Sequence, residues 1–240
     1  MKRLITPMRL FVASQVLLVV FALFFQIEGI HTAKSTESIT ISMFICFCMF
    51  TGFNSGLSFT LWRPFGRPEG YTFTKAELDA RAGCLVYLGS CLLYAYVALN
   101  CFYQRKYVEH VPTFQEQDFY TLAFFFAIIT ALYLLFKTSG VEEPLLNPRI
   151  AGIIALFAAL VPHISAGIRI LDKGTEAISE VSIWCSLGMI ISKLLYYAHI
   201  RKEAGKNIDE VHKAEGVLIA EFFGNCLTWL FVIGCYYYMQ

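Results

Sequence analysis

Two ionisable residues stand where water is expected to be scarce. Lys193 lies in the apolar run ISKLLYYA, and Glu221 lies in VLIAEFFGNC. Each is about seven residues from the polar link joining these runs, so both are ~10 Å deep from the same face at about 1.5 Å per residue. Charge at that depth is costly and marks a functional candidate. In one chemistry Glu221 takes up a proton, or contacts a cationic solute group, while Lys193 tunes its proton affinity. In the other the two form a structural ion pair. Asn225 lies one helical turn deeper than Glu221, on the same face at i+4.

A second candidate set lies elsewhere. His163 follows Pro162 inside an apolar run, and Gln26 ends another. Histidine titrates near neutrality and suits proton-coupled gating, although packing is its plainer role. Proline removes a backbone donor and crowds the preceding turn, which suits a gate hinge. Trp184 and Trp229 are candidate walls for a ring-bearing solute, and packing is the competing role.

Other chemistry is missing from the sequence. It carries no phosphate-binding loop, no dinucleotide fingerprint, no HExxH and no GxSxG. No nucleophile–base set stands out, so an enzyme is not expected, nor is a cofactor. All eight Cys fall in apolar runs. Cys46-x-Cys48 lacks a second pair of soft ligands nearby, so no metal site is expected and the cysteines read as small packing residues.

These residues need a membrane-spanning frame. The chain has 240 residues, 57% hydrophobic and only 15% charged, against about 25% charged in soluble proteins. Net charge +1 excludes a nucleic-acid binder driven by phosphate neutralisation, and the high hydrophobicity excludes disorder. Seven apolar runs approach the ~20 residues that cross a hydrocarbon core. They lie near 8–30, 39–61, 83–103, 118–136, 150–170, 178–199 and 216–238. Within lipid they must be helices, because each segment has to satisfy its own backbone. The basic start followed by an apolar run resembles a signal peptide, but the run is long and lacks a small-residue cleavage site, so its retention is expected. In the link between the second and third runs, Thr74-Lys-Ala-Glu-Leu-Asp reads as a short surface helix with a Thr cap. Of the 19 Lys and Arg, 13 flank one side and 5 the other, with Lys193 inside a span. That bias predicts a multi-pass integral membrane protein with its N-terminus in the cytoplasm.

The chain also repeats itself. Lys34-Ser-Thr-Glu-Ser-Ile-Thr40 aligns with Lys173-Gly-Thr-Glu-Ala-Ile-Ser179, and Gln26 with His163. Gly89-Ser-Cys-Leu-Leu-Tyr94 aligns with Gly224-Asn-Cys-Leu-Thr-Trp229. The three pairs of spans run at offsets of 137, 139 and 135 in the same order. Spans 1–3 and 5–7 are thus two copies, and the extra fourth helix makes them parallel. The expected fold is an all-α polytopic membrane protein. Its seven transmembrane helices form two parallel three-helix repeats joined by a linker helix. The first repeat covers 1–104, the linker helix and its flanking loops 105–149, and the second repeat 150–240.

The segments around Gln26 to Thr40 and Pro162 to Ser179 resemble the paired motifs of the PQ-loop superfamily. That superfamily includes the SWEET-like sugar carriers and the peptide-retrieval receptors. The 3+1+3 layout is similar over the whole chain. Phe25-Gln26 stands where the family usually has Pro-Gln, and spans 2 and 6 lack the hinge Pro of many sugar-transporting members. The charge bias also opposes the family's usual outside N-terminus. The resemblance implies that polar positions on spans 3 and 7 line a central pocket. Here these are Ser90 and Asn225, with Asn54 and Lys193 as the paired positions on spans 2 and 6. The expected function is alternating-access transport of a small polar or amphipathic solute. Glu221 and His163 are the proton-coupling candidates, and Pro162 and Gln26 the gate. The second reading is a non-transporting receptor or sorting protein of the same superfamily. The expected partners are the solute and the lipid bilayer, with no nucleic acid; a homo-oligomer is left open.

Overall fold

The computed structural model describes residues 7–33, 35–62, 75–204, 211, 215–216 and 218–240. Among them the chain is all helix and turn, without strand. The helices are α1 (Pro7–Ala33), α2 (Ile41–Trp62), α3 (Lys75–Tyr103), α4 (Glu116–Thr138), α5 (Pro148–Lys173), α6 (Glu180–Ala204) and α7 (Leu227–Tyr238). Five are long and apolar enough to cross a membrane, and a shorter apolar helical stretch covers Ile41–Gly56. Large apolar side chains such as Phe24, Leu92, Leu99, Phe124 and Leu195 are more than half exposed. A soluble monomer rarely presents that much apolar surface. The architecture is consistent with a helical, multi-pass membrane protein.

Two helices are longer than their apolar runs. The segment beginning at Lys75 is the first turn of α3 rather than a separate surface helix; its Thr74 cap lies outside the described residues. At its other end α3 passes directly into a π-helical segment, Gln104–Glu109, so Arg105 is held on a helix instead of in a loop. A second π segment, Ala220–Cys226, leads into α7, with the Leu227 N–H bonded to the Phe222 carbonyl. Such wide turns are rare and favour functional positions.

Packing divides the helices into two sets. α3 stands between α1 and α2, while α7 with its π segment stands between α5 and α6. Each set has its own core. Val19, Ile30, Phe44 and Val97 are buried together in the first, and Ile170, Ile183, Trp229 and Val232 in the second. The sets meet along α1 and α6 on one side and along α2 and α5 on the other, where α4 packs against both. On the first side the partners are specific. Phe11 stacks on Tyr196 with ring centroids 4.3 Å apart, and Gln15 Nε2 donates to the Met189 carbonyl at 2.9 Å.

The two repeated links adopt the same turn. Ile39 N–H donates to the Thr36 carbonyl at 3.0 Å, and Ile178 N–H to the Thr175 carbonyl at 2.9 Å. Residues aligned by the sequence repeat therefore make equivalent bonds. The second link leaves α5 through Gly174 at φ +80°, a left-handed helix stop that favours glycine.

Candidate functional site

A cavity of about 130 Å³ lies where the two sets meet. It is lined by residues of all seven helices and of the π segment before α7, and its walls are mostly apolar. It runs from Thr40, just before α2, to Thr51 within it, and along α6 from Ser182 to Lys193. Eleven residues at about 1.5 Å each make it ~16 Å long. So small a volume spread over that length is a narrow slot, wide enough for a single ring or an extended chain.

Seven of the expected site residues line this slot: Asn225, Ser90, Lys193, Trp229, His163, Pro162 and Gln26. Lys193 Nζ lies 6.0 Å from the Tyr87 ring centroid, a cation–π distance. Ser90 Oγ donates to the Val86 carbonyl of its own helix at 2.9 Å. His163 is buried, and its Nδ1 lies 2.7 Å from the Ala159 carbonyl. A carbonyl only accepts, so Nδ1 carries the proton and Nε2 is the acceptor in the neutral ring. The ring packs against Phe47 at 5.0 Å and edge-on to Trp229 at 5.2 Å. Trp229 is fixed by its Nε1 bond to the Ile183 carbonyl at 2.9 Å. Pro162 is fully buried within the continuous helix α5.

Two expected residues stand away from the slot. Asn54 bonds the Phe50 carbonyl of its own helix at 2.9 Å, which turns its amide along α2. Trp184 is half exposed, and its Nε1 donates to the Tyr237 hydroxyl at 2.9 Å. It sits on the outer aromatic surface, so Trp229 alone of the pair forms a wall. The backbone of Glu221 belongs to the second π segment, but its side chain lies outside the described residues.

One end of the slot is sealed by the two repeated links. Gln26 Nε2 donates to the Ala177 carbonyl at 2.8 Å, and Ala177 N–H donates to Ser38 Oγ at 3.3 Å. Ser38 and Ala177 are aligned positions in the sequence repeat, and here they meet. Beside this contact lies a buried polar network that the spacing of residues does not reveal. Arg105 is 0% exposed and pairs with Asp118 at 2.9 Å. It also donates to the carbonyls of Thr36, Ile39 and Thr113. Asp118 Oδ1 accepts from Ser42 N–H and Oγ at 3.1 and 3.0 Å, and Oδ2 from Gln115 N–H at 3.1 Å. Arg169 is buried as well, bonding the Glu37 carbonyl and Gln117 Oε1. Arg105 and Arg169 are two of the five Lys and Arg that the charge bias counts on the less basic flank, where solvent or headgroup exposure is expected; the structure buries both. The Arg105 guanidinium finds carbonyl and carboxylate acceptors, which offsets its loss of water; Arg169 finds a backbone carbonyl and an amide oxygen, and among the described residues its Nη2 has no partner.

The sequence reading missed Gln15, Ser38, Thr40, Ser182 and Ser186 as lining residues. Ser38 and Thr40 lie inside the repeated motif and are legible as positions there, whereas Gln15, Ser182 and Ser186 are isolated polar residues in apolar runs. Among the described residues no cluster of His, Cys, Asp and Glu could hold a metal ion. No family model matches this chain, and no curated protein or solved structure is found similar to it.

Proposed function

We propose that this chain is a transporter of a small polar or amphipathic solute, resembling the PQ-loop superfamily. In this reading two parallel three-helix repeats, α1–α3 and α5–α7, are joined by α4 and work by alternating access. The observation that carries it is the slot where the two sets meet, lined by both repeats and sealed at one end by contact between repeat mates. A deep, narrow slot between the two sets suits a small solute held between them, whereas a peptide receptor needs a wide groove. Among the described residues the bonds that join the repeats at this end are chiefly those of Gln26, Ser38 and Arg169, so rocking of the repeats would expose the slot there. His163 and Pro162, on α5 beside Phe47 of α2, sit at the hinge between them.

Uptake of a labelled metabolite panel into proteoliposomes, with and without a pH gradient, tests the reading. Accumulation of at least one solute is expected. Tight peptide binding without movement of any solute would favour the receptor instead. Asn225→Ala is expected to cut uptake by about tenfold, the loss of roughly one hydrogen bond to solute. Ser90→Ala should change it less, because that hydroxyl already bonds its own helix. Glu221→Gln is expected to abolish the response to the pH gradient; an unchanged response removes Glu221 from coupling.

A further inference from the structure

The two repeats begin their second helices differently. In the second repeat Ser179 precedes α6, and its Oγ accepts from Ser182 N–H at 3.4 Å. That is the ordinary role of a hydroxyl at a helix start. The mate of Ser179 is Thr40, which precedes α2. Among the described residues its hydroxyl has no hydrogen-bond partner, although Thr40 is only 3% exposed and lines the sealed end of the slot. The capping task at α2 is performed instead by Asp118, whose Oδ1 accepts from Ser42 N–H. A carboxylate at a helix N-terminus is also favoured by the helix dipole. Because α4 occurs once, only the first repeat receives this substitute cap.

A buried hydroxyl without a partner carries a desolvation cost of about 1–3 kcal/mol. Nothing in helix capping requires that cost, since Asp118 serves the helix end. Thr40 lines the slot, and its hydroxyl turns about the single torsion χ1 between staggered wells, so it can meet a partner without moving backbone. We infer that Thr40 is a solute-binding residue at the sealed end, taking an uncharged hydrogen-bonding group such as a hydroxyl or carboxamide. Beyond it the solute's apolar or ring portion lies along His163 and Trp229. The solute class is therefore a narrow molecule with a neutral polar head that leads toward the sealed end. This deepens the transport reading and rests on the same slot.

The test uses the full-length protein with benzamide as probe, and toluene as a probe of similar size lacking the polar head. Thermal stability is measured first without probe. Thr40→Val should melt at or above the wild-type temperature, because an unpartnered hydroxyl is replaced by methyl. A clear fall would show that Thr40 supports the fold and would overturn the inference. Benzamide binding is then measured. Wild type is expected to prefer benzamide over toluene, Thr40→Val to bind benzamide about tenfold more weakly, and Thr40→Ser to stay within about twofold of wild type. Equal benzamide binding by Thr40→Val, or no benzamide binding by wild type, overturns the inference. Binding without solute uptake in proteoliposomes would retire the transport reading and leave this site standing.

Discussion

Asp118→Asn is expected to lower stability by about 3–5 kcal/mol, the cost of leaving a buried charge without its counter-ion. Arg105 is fully buried, and Asp118 is its carboxylate partner at 2.9 Å. Asparagine keeps the shape but offers one acceptor oxygen where the carboxylate offers two. The side chain now accepts from Arg105, Ser42 and Gln115, so the substitution strikes three elements together. The start of α2, the segment after α3 and the start of α4 all lose an anchor. Thermal unfolding of wild type, Asp118→Asn, Arg105→Gln and the double variant gives the check. The double variant should lose less than the sum of the singles, because the remaining partner is then uncharged. Additive losses would mean that the pair is not coupled.

Gly224→Ala is expected to destabilise by about 1–3 kcal/mol through overpacking, and to reduce solute uptake. A Cβ at Gly224 would stand 2.7 Å from Leu156 Cα and 3.1 Å from its carbonyl oxygen. Those are backbone atoms and cannot swing aside, so α5 and the π segment must separate. Asn225 is the next residue and lines the slot, so the shift carries a binding group with it. Gly89 is the mate of Gly224 in the sequence repeat, and a Cβ there meets nothing within 4 Å. Gly89→Ala should therefore leave stability and uptake near wild type. The pair separates close helix approach from any general intolerance of alanine, and is read by melting temperature and proteoliposome uptake. Equal effects at the two glycines would defeat the packing argument.

Much of the frame follows from local sequence. Apolar runs of spanning length must be helices because lipid offers their backbones no partners, and the described helices fall on those runs. The repeat could be read from Thr36-Glu-Ser-Ile39 and Thr175-Glu-Ala-Ile178, because similar short segments between similar helices fold into the same turn. Lys193, Asn225 and His163 stood out because polar groups in apolar runs are costly. The slot collects all three.

Other features depended on partners distant in sequence. Nothing near Arg105 or Arg169 marks them as buried, since their acceptors come from residues on other links and helices. Trp184 and Trp229 look alike in sequence, yet one faces outward to Tyr237 and the other closes the slot. The direction of a side chain around a helix matters only once its neighbours are placed. The repeat also predicts equal roles for Thr40 and Ser179, and for Gly89 and Gly224. Tertiary structure breaks both equivalences, because α4 is present once and delivers Asp118 to one repeat only, and because α5 closes on one glycine and not on its mate. The sequence by itself determined a helical, apolar frame with two similar links; only the packed structure decided which aligned residues differ in their partners, because those partners come from elements distant in the chain.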